Sequence, residues 1–271
     1  MCNFFRGAFF RVKAIILAAG KGTRLRPYTD TMPKCLTPIG GHPILVRQVE
    51  CLQRFGILDI TIVAGYKHEQ IKIPGVKKVV NHEFDKTNMV SSLFCAVNEF
   101  SGSDVIVVYG DIVFEPYVLA ALINSQNPIS VVVDWNWRPY WQARMSDPLE
   151  DAETLKLGPK SELLEIGKKA ASYDDIQAQY IGLIKFREDY LLGITEIYRE
   201  LIRLGQLNSE PAEKMYMTTF LQHLINIDWT LTAVPIRNGW LELDTVDDLR
   251  LYERLLETNS LGRFCDLSIV D

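Results

Sequence analysis

Residues 14–18, 59–64, 104–109 and 129–134 form short, mostly apolar runs, and stretches with helical spacing lie between them. This alternation limits the fold more than any other feature. Runs this short and this apolar predict strands buried on both faces, and strands alternating with helices predict a mainly parallel sheet with helices on both sides. A helix is expected over 43–55, where Ile44, Leu45, Val49 and Leu52 recur on one face and Gly56 stops it. Further helices are expected over 88–100 and 115–123, and a short strand over 78–80. After residue 135 the rhythm changes. Residues 153–157 and 163–166 flank Gly158-Pro159 and predict a hairpin. Strands over 180–186 and 231–236 and helices over 190–204, 217–225 and 245–256 complete the reading. The expected class is α/β: a Rossmann-like mixed, mainly parallel sheet with an inserted antiparallel portion. One domain spanning 1–271 is expected, with 12–134 binding a nucleotide and 135–271 binding an acceptor.

The 271 residues are 48% hydrophobic and carry a net charge of −5. That balance argues against a general nucleic-acid binder, so any anion site must be local. No apolar stretch reaches the roughly 18 residues of a membrane helix. Cys2, Cys35, Cys51, Cys95 and Cys265 are scattered and form no CxxC pair, which fits reduced thiols in a cytoplasmic protein. A nucleophilic Cys35 is set aside for want of a histidine at a suitable spacing. Residues 1–11 read as a short extension, because Arg6 and Arg11 interrupt any signal-peptide core.

The loop after the first strand, LAAGKGTRLRPYTDTMPKCL at 17–36, lies where α/β sheets bind ligands. It lacks the third glycine of a dinucleotide fingerprint, where Leu25 stands, and it contains no P-loop string. Gly20 and Gly22 let the backbone approach an anion. Lys21, Arg24, Arg26 and Lys34 add four positive charges against Asp30 alone. Such a loop suits a triphosphate.

The stretch resembles the nucleotidyltransferase signature G-x-G-[ST]-R-[LM]-x-P-x-T-x-x-x-P-K of the nucleoside-diphosphate-sugar pyrophosphorylase superfamily. Gly20, Gly22, Thr23, Arg24, Leu25, Pro27, Thr29, Pro33 and Lys34 match it. The likeness continues through Gly110-Asp111 and GWLELDTVDDL at 239–249, and TNMVSSL at 87–93 is similar to the phosphocholine cytidylyltransferase group. The resemblance implies a nucleotide-diphospho-sugar transferase fold. It also implies transfer of CMP from CTP to phosphocholine, 2-aminoethylphosphonate or a phosphorylated metabolite, with products used on surface polysaccharides. Leu17, Ala18, Ala19, Gly20, Lys21, Gly22, Thr23, Arg24 and Lys34 would then hold the nucleotide, with Tyr66, Asn88 and Ser92 near the base.

Asp111 follows an apolar strand at the same sheet edge, where its carboxylate would repel phosphates without a cation between them. Mg²⁺ resolves this, since it takes one or two carboxylates with phosphate oxygens and water. The resemblance makes Asp111 and Asp244 the metal ligands and Glu242 a helper. The proposed reaction is attack by an anionic acceptor on the α-phosphorus of CTP, with Arg24 and Lys34 stabilising charge and no general base required. Acceptor contacts are expected from Trp135 in the aromatic run WNWRPYW at 135–141, and from Lys168, Gln179, Tyr180 and Glu242. Asp174 and Asp175 are candidates for binding an amine, and Lys185 for the acceptor phosphate. The glutamine contacts would suit phosphoglutamine. Two other readings stand beside this one: a hexose-1-phosphate nucleotidyltransferase using UTP, dTTP or GTP, and a nucleotide-binding regulatory subunit. No nucleic-acid or membrane partner is expected.

Overall fold

A computed structural model describes residues 12–270; the expected extension at 1–11 lies outside the described residues. In chain order, β1 (Val12–Ala18) leads through the glycine loop to a two-residue pair, β2 (Pro38–Ile39) and β3 (His42–Pro43), and then to α1 (Ile44–Arg54). β4 (Ile60–Ala64), β5 (Lys77–Val80), α2 (Met89–Cys95), β6 (Asp104–Tyr109) and β7 (Ile112–Phe114) follow. Next come α3 (Pro116–Asn124), β8 (Ile129–Asp134), α4 (Trp137–Arg144) and the hairpin of β9 (Glu153–Leu157) and β10 (Leu163–Lys169). β11 (Gln179–Phe186), α5 (Leu191–Leu204), the pair β12 (Gln206–Leu207) and β13 (Glu210–Pro211), and α6 (Met217–Asn226) continue the chain. β14 (Leu231–Ile236), β15 (Trp240–Glu242), α7 (Val246–Glu257) and α8 (Leu267–Val270) complete it.

Seven strands form one sheet in the order β14-β8-β11-β6-β1-β4-β5. β1 runs parallel to β4 and β6, and β8 runs parallel to β14. The apolar runs do become doubly covered strands: Ile15, Ile16, Val107, Val108, Val131 and Val132 are all fully buried, in two clusters on opposite faces. β11 is an antiparallel strand within the mixed sheet. It enters the main sheet between β6 and β8, antiparallel to both. Only the β9–β10 hairpin stands apart from that sheet as a larger antiparallel pair.

The expected helix over 88–100 is shorter, because α2 stops at Cys95 and a 3-10 turn follows over Val97–Glu99. Sequence periodicity missed β7, three residues that pair antiparallel with β15 in the register Ile112↔Glu242 and Phe114↔Trp240. This small ribbon is central to the site. No helix among the described residues is long and apolar enough to cross a membrane.

Candidate active site

Asp111 and Asp244 are far apart in sequence and meet because β7 and β15 pair. The Leu243 amide donates to the Asp111 carbonyl at 2.9 Å, continuing the ribbon by one bond and setting both aspartates at the same end. Asp111 is fixed from behind as well. Nε2 of buried Gln48 in α1 donates to the carbonyls of Tyr109 and Ile112 at 2.6 Å each, clamping the backbone on either side of Gly110-Asp111. Gly110 lies so close to β1 that a Cβ there would stand 2.6 Å from the Leu17 carbonyl oxygen. Only glycine lets the aspartate approach the loop this closely.

Lys34 Nζ bridges the two carboxylates, 2.7 Å from Oδ2 of Asp111 and 2.9 Å from Oδ1 of Asp244. Arg24 reaches the other oxygen of Asp244 at 2.5 Å. Burial alone would push the Lys34 ammonium down, but Asp111, Asp244 and Glu242 outweigh it and hold the group well above its ordinary value. Lys34 is thus charged throughout the physiological range. Burial carries the Glu242 carboxyl up to about 7, with Arg144 opposing and Asp111 and Asp244 adding to the rise. Oδ1 of Asp111 is buried and has no hydrogen-bond partner. An orphaned carboxylate oxygen beside a second aspartate fits a divalent cation completed by phosphate and water. Among the described residues no group of three or more His, Cys, Asp or Glu is placed to hold a metal. A pair of carboxylates would suit a divalent cation that arrives with a nucleotide better than a closed structural site.

The loop folds around Lys34. Gly22 has φ +60, and a Cβ there would stand 2.8 Å from Lys34 Cβ. Thr29 Oγ1 donates to the Gly22 carbonyl at 2.8 Å, and Tyr66 donates its hydroxyl to the Thr29 carbonyl at 3.0 Å. A cavity of about 350 Å³ opens above the loop, lined by Leu17, Ala18, Ala19, Gly20, Gly22, Thr23, Arg24, Lys34, Asn88, Ser92, Asp111, Glu242 and Asp244 among others. Two of the expected nucleotide contacts are not in its wall. Tyr66 is spent buttressing Thr29, and the Lys21 amine lies over the ring of Phe84, a wall residue, 5.7 Å from its centre. Asn88 lines the cavity but also caps α2, its Oδ1 accepting from the Met89 amide at 2.8 Å. Ser92 Oγ accepts from Asn81 Nδ2 at 3.0 Å. Cys35 is in the wall too, but burial pushes its thiol up to about 12, so it offers no thiolate. None of the four histidines lines this cavity.

A second cavity of about 230 Å³ adjoins the first and shares Arg24, Met89, Tyr109 and Glu242 with it. Gln179 and Tyr180 line it, together with Asp151, Glu153, Trp141 and Trp240. The Gln179 amide is committed to protein: it donates to the Glu153 carbonyl at 2.5 Å and accepts from the Glu153 amide at 3.2 Å. Its work is to set Glu153, which the sequence reading missed. Burial raises the Glu153 carboxyl to about 7, with Asp151 adding to the rise and Thr218 opposing it. The Tyr180 hydroxyl is buried without a hydrogen-bond partner.

Five other expected positions do not line this cavity. Trp135 stands 47% exposed in a different cleft beside Glu115 and Tyr117. The aromatic run becomes helix α4, and helical periodicity turns Trp137, Tyr140 and Trp141 inward and leaves Trp135 before the helix. Lys168 is on the hairpin, paired with Glu165 at 2.5 Å. Lys185 is buried at the far end of β11, donating to the Ile123 carbonyl at 3.1 Å. Asp175 closes a capping box with Ser172, and Asp174 shares that turn.

A family model described as a MobA-like NTP transferase domain matches residues 14–166. The CTP:phosphoglutamine cytidylyltransferase of Campylobacter jejuni is 39% identical over 250 residues, covering 89% of this chain and 98% of that protein. The choline-phosphate cytidylyltransferase of Streptococcus pneumoniae is 42% identical over a shorter 99 residues, 35% of this chain and 43% of that one. Among solved structures, the CTP:phosphocholine cytidylyltransferase of S. pneumoniae superposes with a TM-score of 0.69 at 24% identity, over 91% of this chain and 100% of that one, a likeness of fold.

Proposed function

The chain belongs to the MobA-like NTP transferase family and is a nucleotidyltransferase, and on that premise we propose that it transfers CMP from CTP to a small phosphorylated acceptor of the phosphoglutamine type. The observation that carries this reading is the convergence of Asp111 and Asp244 on Lys34 at 2.7 and 2.9 Å. Two carboxylates separated by one cation, facing a glycine loop, suit a triphosphate that arrives with its own metal. Mg²⁺ bound by Asp111 and Asp244 would neutralise charge on the α-phosphate.

An acceptor phosphate oxygen attacks the α-phosphorus. A new phosphoanhydride bond forms, the bond from the α-phosphorus to the bridging oxygen breaks, and pyrophosphate leaves with that electron pair. The nucleophile is already anionic, so no base is needed. Backbone at 17–20 and the amides near Gly22 and Thr23 receive the nucleotide, and Asn88 and Ser92 offer hydrogen-bonding groups to the pyrimidine edge. Lys34 follows the charge that builds on the transferred phosphate, and Arg24 stabilises the departing pyrophosphate.

The second cavity supports the acceptor assignment. Its acids Asp151, Glu153 and Glu242 suit an ammonium group. In this reading 12–134 supply the nucleotide site and 135–271 the acceptor site and second metal aspartate, within one domain. The free thiols at Cys35, Cys51, Cys95 and Cys265 support a cytoplasmic location, and the activated product would serve surface-polysaccharide decoration.

A panel of ATP, CTP, GTP, UTP and dTTP, each with Mg²⁺ and phosphoglutamine, phosphocholine, 2-aminoethylphosphonate or a hexose 1-phosphate, tests this by pyrophosphate release. Turnover with CTP and an amine-bearing acceptor is expected. Turnover confined to UTP, dTTP or GTP with a hexose 1-phosphate would overturn it, and so would nucleotide binding with no release from any pair.

A further inference from the structure

The aromatic run at 135–141 is not absorbed by the acceptor cavity, apart from Trp141. Its other product is the inward face of α4, which ends in Arg144, a side chain only 2% exposed. The Arg144 guanidinium is packed against the rings of Tyr140 and Trp141, 5.2 and 5.4 Å from their centres. From there it makes three bonds to two acids. Nε and NH2 grip the two oxygens of Asp248 at 2.8 and 3.3 Å, and NH1 takes Glu242 at 2.8 Å.

Asp248 is the link to the chemistry. Its Oδ2 accepts from the Asp244 amide at 3.0 Å and from the Thr245 amide at 2.8 Å. Glu242, two residues before Asp244, is restrained as well. The Glu242 amide donates to the Tyr140 hydroxyl at 2.8 Å, and its carbonyl accepts from the Tyr252 hydroxyl at 2.5 Å. Thus α4 and α7 grip the segment 242–244 from both sides, and Arg144 joins the grips.

We infer that Arg144 is a positioning residue for nucleotidyl transfer. It sets Asp244 through Asp248, and it engages the Glu242 carboxylate so that Lys34 is bridged by two acids and not three. Without Arg144, Asp248 would lose its bidentate partner, and Glu242 would stand as an unpaired acid beside Asp111 and Asp244. A guanidinium fork is required, because a lysine ammonium is a point charge that cannot hold both oxygens of Asp248 and reach Glu242 in one geometry.

The inference rests on the reading that Asp111 and Asp244 hold the metal–nucleotide complex. Its test uses Arg144→Lys and Asp248→Asn in the full chain, with Mn²⁺ as an EPR-visible stand-in for Mg²⁺. Mn²⁺ binding in the presence of CTP, kcat and KM for CTP, and thermal midpoint are measured for each. Both variants should weaken Mn²⁺ binding and lower kcat by about 10–100-fold, with KM for CTP changed less than kcat. Adding Glu242→Gln to Arg144→Lys should recover part of the loss in Mn²⁺ binding, by removing the unpaired acid. Mn²⁺ affinity and kcat within about twofold of wild type, with only the thermal midpoint lowered, would reduce Arg144 to a packing residue and overturn the inference. Should Arg144→Lys fail to fold, Asp248→Asn decides by the same readouts. Wild-type protein that neither binds Mn²⁺ with CTP nor turns over would sink the proposed function, and this inference with it; normal wild-type behaviour with unaffected variants sinks this inference alone.

Discussion

The two cavities that meet at Arg24 are built in opposite ways. The nucleotide side takes about half of its wall from one contiguous stretch, 17–36, in which Gly22, Thr29 and Lys34 fold onto one another. The acceptor side draws on α4, β9, β11, α6 and β15, spread over residues 141–242. In the proposed function the first would hold a constant chemical group, a triphosphate, around a loop whose glycines and cations are contiguous. The second must fit whichever acceptor the enzyme serves, and scattered walls let individual positions change without disturbing the loop.

This contrast predicts how substitutions divide. Lys34→Ala has the largest effect on the nucleotide side: turnover should fall by about 10²–10³, by analogy with loss of one oxyanion-hole donor, with acceptor KM little changed. Steady-state pyrophosphate release measures both, and an unchanged kcat would remove Lys34 from the chemistry. On the acceptor side, Glu153→Gln should raise the acceptor KM by about 10–100-fold, the worth of a hydrogen bond to a charged group, and leave CTP affinity intact. A rise in the CTP KM instead would mean that the two cavities are not functionally separate.

Glu153 also gives a pH test. Its carboxyl titrates near 7 in the folded chain against an ordinary 4.5. The folded state binds that proton more tightly, so this group's stabilising contribution is full below pH 4.5 and is lost as pH rises through 7. Urea unfolding of Glu153→Gln against wild type should therefore show the variant gaining, relative to pH 4.5, about 1–3 kcal/mol by pH 8. Equal slopes for the two proteins would contradict the burial of a protonated acid there. The smallest effect sharpens the boundary of the acceptor cavity. Trp135→Ala should leave acceptor KM and kcat within about twofold, and a tenfold rise in KM would move the cavity toward the cleft beside Tyr117.

The same contrast explains what was legible in the sequence. The sheet strands were readable because each is a short apolar run ended by a polar or glycine turn. The loop was readable because its glycines and cations are contiguous. β7 escaped because three residues after Gly110-Asp111 have no periodicity of their own; they are a strand only because β15 pairs with them. Gln48 and Arg144 escaped for a related reason. A polar residue on a helix is ordinarily solvated, and only tertiary structure shows that these two are buried against the carbonyls of Tyr109 and Ile112 and the side chain of Asp248. Trp135 lies apart from Tyr140 and Trp141 because the helix begins only at Trp137 and its spacing turns the later aromatics inward.

A mutant cycle at the two carboxylates tests the central claim, that they act as one cation-binding unit on one triphosphate. Mg²⁺-dependent pyrophosphate release from CTP is measured for Asp111→Asn, Asp244→Asn and the double variant. If the groups work together, each single substitution falls nearly to the level of the double. Losses that simply multiply, or one single variant retaining wild-type turnover, would mean that the convergence at Lys34 is structural and the chemistry lies elsewhere.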